Sequence, residues 1–246
     1  ESVSWVTERK DVLYALFYML ALCFYWRYLS SRKGILYAAT IIFGVLSILS
    51  KPMALSLPLI LFVCDWFKKR QLDKWRVLDK VPHFFYVVSI AWVTYSLNAR
   101  VPGENIHSGA VICVWTAVFY IHKFFFPAVL VPMYDLPEPI VFSNPHFIGA
   151  IVLFIGIVGS LIVWRRNRWL MFAAAYYVFS IFFLFRYDNA VDKNIVADRF
   201  MYLPCLGICI LVGHWVDQLF KKVTAEKKIA RMILTVFLCP RQACWA

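Results

Sequence analysis

Long apolar runs dominate this chain and limit what it can fold into. They lie at approximately 12–29, 34–50, 53–67, 81–98, 110–133, 147–164, 169–185 and 200–220, with a further one opening at 230. A membrane-spanning helix needs about 20 apolar residues, or roughly 17 at the short end. The runs are continuous rather than alternating, which favours helix over strand. Across 246 residues, 62% are apolar and only 16% charged. A fold of that size has too little interior to hide such an excess from water. The expectation is therefore all-α: a polytopic transmembrane helical bundle, forming a single domain over 1–246 that is truncated at both ends. A soluble enzyme, a disordered tail and a disulfide miniprotein are excluded on this view. The net charge of +12 reads as membrane topology before it reads as nucleic-acid binding.

Topology follows from where the basic residues fall. Seven runs are expected to span, at 12–29, 34–50, 53–67, 81–98, 147–164, 169–185 and 200–220, with a partial eighth at 230–246. The run 110–133 is expected not to span. It carries His122-Lys123 and is followed by Pro127 and Pro132. Leaving it on the outer side as a re-entrant or interfacial helix gathers most Lys and Arg of the loops on one face, as the positive-inside rule asks. The alternative is an ordinary span whose Lys123 faces the bundle interior. The inner loops, including Lys68-Lys69-Arg70, Asp73, Lys74, Arg76, Asp79 and Lys80, read as solvated anchors meeting anionic headgroups. Five of the seven cysteines sit in apolar runs as small hydrophobes. Cys205 and Cys209 lack the neighbours of a metal site, so no cofactor is firmly implied and a divalent metal stays open.

The outer segments hold single charges against apolar flanks. Glu1 to Asp11 packs five charged residues at the mouth of the first helix, Arg9 and Asp11 among them. Lys51 stands alone before Pro52. Asp198 and Arg199 fall at the expected start of a helix, where an Arg fork and free backbone N–H groups would suit a phosphate. Asp198 would orient Arg199 or cap the helix. Equally, Asp198 caps, Arg199 snorkels and Tyr202 joins an aromatic belt. For Glu1, Arg9 and Asp11 the competing reading is a surface ion-pair cluster, for Lys51 an interfacial snorkelling lysine, and for His146 an ordinary loop histidine.

Several strings point to a family. Ala197-Asp198-Arg199-Phe200-Met201-Tyr202-Leu203-Pro204 resembles the A-D-R-[YF]-x-Y-L-P signature of the transmembrane and tetratricopeptide-repeat O-mannosyltransferases and their bacterial relatives. Glu1 to Asp11 is similar to that family's E-S-V-x-W-V-x-E-R-K-D motif. Ser50-Lys51-Pro52-Met53-Ala54, Asp65-Trp66 and Tyr120 to Tyr134 match in order, although Tyr134-Asp135 stands where the family has Tyr-Pro. The resemblance implies a GT-C-type glycosyltransferase fragment. Such an enzyme moves a sugar, mannose for instance, from a polyprenyl-phosphate donor to an acceptor hydroxyl on a protein or glycan at the non-cytoplasmic face. Its partners would be the polyprenyl-phosphate sugar lipid, the acceptor and membrane lipids, without nucleic acid. Its location would be integral to a membrane, the bacterial inner membrane ahead of the endoplasmic reticulum. The main catalytic carboxylate would precede Glu1, leaving Glu1 and Asp11 as the catalytic candidates in hand. Arg199, Lys193 and Lys51 would bind the donor phosphate, supported by Asp198, Tyr202 and Arg9. A lipid or sugar transporter and a non-catalytic membrane scaffold are the rival functions.

Overall fold

The computed structural model describes residues 9–70, 77–97, 106–127, 131, 134–137, 143–185 and 194–226. Among them, eight α-helices of eleven residues or more form the bundle. They are α1 (Arg9–Ser31), α2 (Gly34–Ser50), α3 (Leu57–Phe67), α4 (Val81–Leu97), α5 (Ile106–Phe125), α6 (Pro145–Val163), α7 (Arg168–Ile181) and α8 (Cys205–Glu226). Short 3-10 turns at Pro52–Ser56, Phe182–Leu184 and Asp198–Met201 link them. Two minimal strands, β1 (Tyr134–Asp135) and β2 (Asn194–Val196), pair antiparallel with Tyr134 opposite Val196.

Helix ends sit where the local chemistry puts them. Asn144 caps α6 by accepting the His146 N–H at 3.1 Å, with Pro145 in the first turn. Asn167 caps α7 by accepting from Trp169 and Leu170. Both satisfy backbone donors that have no partner inside the helix. Pro52 forces the break after α2 and opens the 3-10 turn, since proline lacks the N–H a continuing helix would need.

Packing runs through two clusters. The first joins α1, α2, the 52–56 turn and α3 to Phe172 and Tyr176 of α7. The buried face of α1 is Asp11, Tyr14, Ala15, Tyr18, Ala21 and Tyr25, the three-and-four spacing of one helix stripe. The second cluster joins α5 and α6 to Tyr177 and Ile181 of α7. Adjacent residues Tyr176 and Tyr177 thus serve opposite clusters, so α7 holds the bundle together.

The expected polytopic, GT-C-like membrane architecture with a re-entrant or interfacial outer helix is corrected here. Among the described residues, α1 and α6 are long and apolar enough to cross a bilayer by length and composition. Shorter apolar helical stretches, such as Gly34–Ser50, Val81–Val93 and Gly109–Phe125, run to 10–17 residues. Seventeen residues of α-helix reach about 25 Å, short of a hydrocarbon core of about 30 Å. The charges expected at membrane boundaries, Asp11, Lys51 and Lys80, are instead buried inside the bundle, as is Asp65. The run 110–133 contributes α5, which ends at Phe125, so His122 and Lys123 occupy its last turn. Cations there complement the helix dipole. The segment 230–246 lies outside the described residues. The multi-pass localisation, in the bacterial inner membrane or the endoplasmic reticulum, loses its basis with the architecture. Part of the apolar excess is nonetheless on the surface: Val152, Ile155, Ile162 and Val163 of α6 are exposed.

The α7–α8 contact is close because Gly207 permits it. A Cβ at Gly207 would come to 2.9 Å from the Ala173 carbonyl oxygen and 3.0 Å from the Tyr176 ring. Gly207→Ala is expected to destabilise the fold by about 1–3 kcal/mol, although alanine is the better helix former. Denaturant unfolding of the two proteins checks the sign.

Candidate functional site

Of the sequence-predicted residues, Asp11, Lys51, Asp198 and Arg199 come together at one end of the bundle. α1 and α2 run antiparallel, which puts the N-terminus of α1 beside the C-terminus of α2. Asp11 lies in the first turn of α1 and Lys51 is the residue that ends α2. Each charge suits its own helix end. The two form a buried ion pair through Asp11 Oδ1 and Lys51 Nζ. Asp11 is therefore neither an open carboxylate nor part of a surface cluster, and Lys51 does not snorkel.

Phe200 brings the next residues in. Lys51 Nζ and Arg199 Cζ each stand 5.3 Å from its ring centroid, within cation–π range. Asp198 and Arg199 occupy a four-residue 3-10 turn, and α8 begins only at Cys205. No long-helix N-terminus backs Arg199, and the residue at the N-cap of the turn is Ala197 rather than Asp198. Instead Asp198 Oδ2 accepts the Tyr134 hydroxyl at 2.9 Å. The same hydroxyl oxygen accepts the Val131 N–H at 3.2 Å. Strand pairing of Tyr134–Asp135 with Asn194–Val196 holds this tie in register. Lys123 Nζ stacks 4.5 Å from the Tyr134 ring centroid. Tyr202 is exposed, and Arg9 is exposed two residues before Asp11. Tyr14 lies beside the pair, and burial first, then Asp11, Cys205 and Tyr202, push its hydroxyl well above the usual tyrosine range. Glu1 and Lys193 lie outside the described residues.

A second polar cluster occupies the far end of α1, about 21 Å away along fourteen residues of helix. Tyr25 donates to Asp65 Oδ1 at 2.6 Å, and Lys80 Nζ meets Asp65 Oδ2 at 2.7 Å and the Tyr25 hydroxyl. Arg70 pairs with Asp79 at 2.6 Å, and Tyr37 donates to the Asp79 carbonyl at 2.8 Å. Arg70, Asp79 and Lys80 were expected to be solvated anchors, yet Lys80 is 0% exposed, as is its partner Asp65. Burial pushes the Lys80 ammonium below the ordinary lysine range, against the pull of Asp65 and Asp79. For Arg70, burial is more than offset by the hydrogen bond and charge of Asp79, so its value rises. Burial, then the Lys80 charge, holds His83 down to about 4. The sequence signal for this cluster was an aspartate embedded in the apolar run 53–67, with a lysine opening the run 81–98.

Among the described residues, no group of three or more His, Cys, Asp or Glu is placed to hold a metal ion. Cys205 donates its thiol to the Tyr202 carbonyl at 3.2 Å. No family model, no curated protein and no solved structure matches the chain. The expected GT-C glycosyltransferase activity, its transporter and membrane-scaffold rivals, and the polyprenyl-phosphate, acceptor and membrane-lipid partners all rested on an outer membrane face. With that architecture corrected, they do not stand.

Two outcomes follow from the second cluster. Lys80→Ala strands a buried carboxylate and is expected to cost about 3–5 kcal/mol, whereas the double change with Asp65→Asn costs less than the single changes summed. A double-mutant cycle in urea reads this. His83 has a depressed folded value, so the unfolded chain takes up its proton first as pH falls. Its stability contribution is full above about 6.5 and is lost on acidification toward 4, by up to about 3 kcal/mol. Thermal melts of wild type and His83→Gln between those pH values should converge as pH falls.

Proposed function

We propose that the end of the bundle carrying Lys51, Phe200 and Arg199 recognises an oxyanion on a ligand, phosphate being the simplest. The observation that carries this reading is two cations held at equal distance from one aromatic ring, 5.3 Å each. The Asp11 pair offsets the Lys51 charge, so Arg199 supplies most of the attraction and the planar fork that fits two oxygens. The Tyr134–Asp198 bond fixes the turn that presents it. Asp198 and Tyr134 act as positioning residues, and Tyr202, exposed on the same turn, is available to the ligand. The likeness of Glu1–Asp11 and Ala197–Pro204 to the O-mannosyltransferase strings is retained as a proposal of descent alone and brings no activity with it.

Titration calorimetry of the full chain with inorganic phosphate at fixed ionic strength tests the reading. Arg199→Ala is expected to weaken binding about tenfold or more, and Arg199→Lys less. Unchanged phosphate affinity in Arg199→Ala, with only its melting temperature lowered, would reduce Arg199 to a structural cation on Phe200.

A further inference from the structure

α1 carries a second stripe beside the one it buries. The buried face runs through Tyr14, Tyr18 and Tyr25. Met19, Leu22, Cys23, Trp26 and Arg27 fall on the adjoining face, again at the three-and-four spacing of one helix side. That face borders an open cavity of about 400 Å³ between α1, α3, α7 and α8, within the usual size of small-molecule sites. The floor is apolar: Ile60 and Cys64 of α3 and Phe172 of α7 are buried. Leu206 and Ile210 of α8 form the far wall. Arg27 is the one charged residue in the lining. None of the residues assigned to oxyanion recognition takes part.

The mouth of this cavity is cationic. Arg27 is exposed at the end of the stripe, and Lys68 Nζ stands 4.2 Å from the centroid of the neighbouring Trp26 ring. Arginine is a permanent cation with a planar fork of donors. Among the described residues neither Arg27 nor Lys68 has an acidic partner. Asp65, three residues before Lys68, is turned inward to Lys80 and Tyr25. An apolar channel therefore ends in two positive charges that the fold does not neutralise.

From Met19 to Arg27 the stripe spans about 12 Å of helix axis. A C–C bond of about 1.5 Å advances an extended chain by about 1.3 Å per methylene, so about nine carbons cover that length. We infer that this cavity binds an unbranched aliphatic carboxylate of about eight to ten carbons, its chain along Met19, Leu22 and Ile60 and its carboxylate at Arg27 and Lys68. A bare oxyanion would leave the apolar walls empty, and a chain with a cationic head would meet two like charges.

Octanoate, decanoate and octylammonium are the probes, titrated into the full chain by calorimetry. Octanoate is expected to bind saturably, and the two further methylenes of decanoate should tighten binding about tenfold. Octylammonium, with the same chain and the opposite charge, should bind about fivefold or more weakly than octanoate. Arg27→Gln should weaken octanoate about threefold to fivefold and leave octylammonium no weaker. Cys23→Phe, growing a ring into the cavity, should weaken decanoate about tenfold or more with the melting temperature retained. Cys23 also reports occupancy directly. It and Cys209 are both exposed, and Cys209 does not line the cavity. Decanoate should slow iodoacetamide alkylation of Cys23, read by peptide mass spectrometry, and leave Cys209 unchanged. Arg199→Ala should leave decanoate binding unchanged, which separates this site from the oxyanion site. Equal slowing at both cysteines, equal affinity for acid and amine, wild-type octanoate affinity in Arg27→Gln, or wild-type decanoate affinity in Cys23→Phe would each overturn the inference. So would the absence of saturable binding at millimolar decanoate.

Discussion

Two buried sets of opposite charges, one at each end of α1, fix how the first half of the molecule packs. At one end Asp11 is matched by Lys51. At the other Asp65 is matched by Lys80 and Tyr25. Removing charges from water costs several kcal/mol per ion, and only a well-placed partner returns it. Each pair adds little net stability, yet each admits one register of α1 against its neighbours. Sliding α1 by one turn would part Asp11 from Lys51 and take the Tyr25 hydroxyl away from Asp65 and Lys80. Between the two ends the tyrosine stripe fills the core, and Tyr18 shares a hydrogen bond with Ser56 at 3.0 Å. Charge sets the alignment, and apolar burial supplies most of the driving force.

The all-α character was readable in the unbroken apolar runs. The caps at Asn144 and Asn167 are a local matter of side chain and backbone, although in the sequence these residues read only as loop and turn. What the local pattern does not encode is the partner of a charge forty residues away. Lys51 looked like a boundary lysine and Asp11 like part of a surface cluster, because sequence separation hides that antiparallel α1 and α2 bring them together. Lys80 looked solvated among Lys74, Arg76 and Asp79, although Asp65 takes it into the interior. The membrane expectation came from treating seven of the apolar runs as full spans. Breaks such as Pro52, and inward-facing charges, shorten and redirect those runs. At the candidate site the residue types Asp198, Arg199 and Lys51 were visible, whereas Phe200 as the shared ring and Tyr134 as the tie were not.

The two ends of the bundle differ in chemical character. The Asp65 end is closed: its carboxylate, ammonium and phenol consume one another, and Arg168 caps the carbonyls of Trp66 and Phe67 at 2.7 and 2.6 Å. The Asp11 end carries a half-buried guanidinium on a short turn. The Asp65 network is architecture, whereas the proposed ligand reading rests on the geometry at the Phe200 ring. Cys64, beside the closed end, is pushed up to about 12 by burial, with Asp65 adding and Lys80 subtracting, so it remains a packing group.

The two-stranded ladder has a bearing on motion. Tyr134–Asp135 and Asn194–Val196 make a ladder of two and three residues, too short to be stable without its surroundings. It is held by the Tyr134–Asp198 bond and by Val196, buried in the α5–α6–α7 cluster. The Arg199 turn is thus tethered to the core rather than to the ladder alone, and a ligand that clamps the turn would be felt at the Lys123 ring contact on α5.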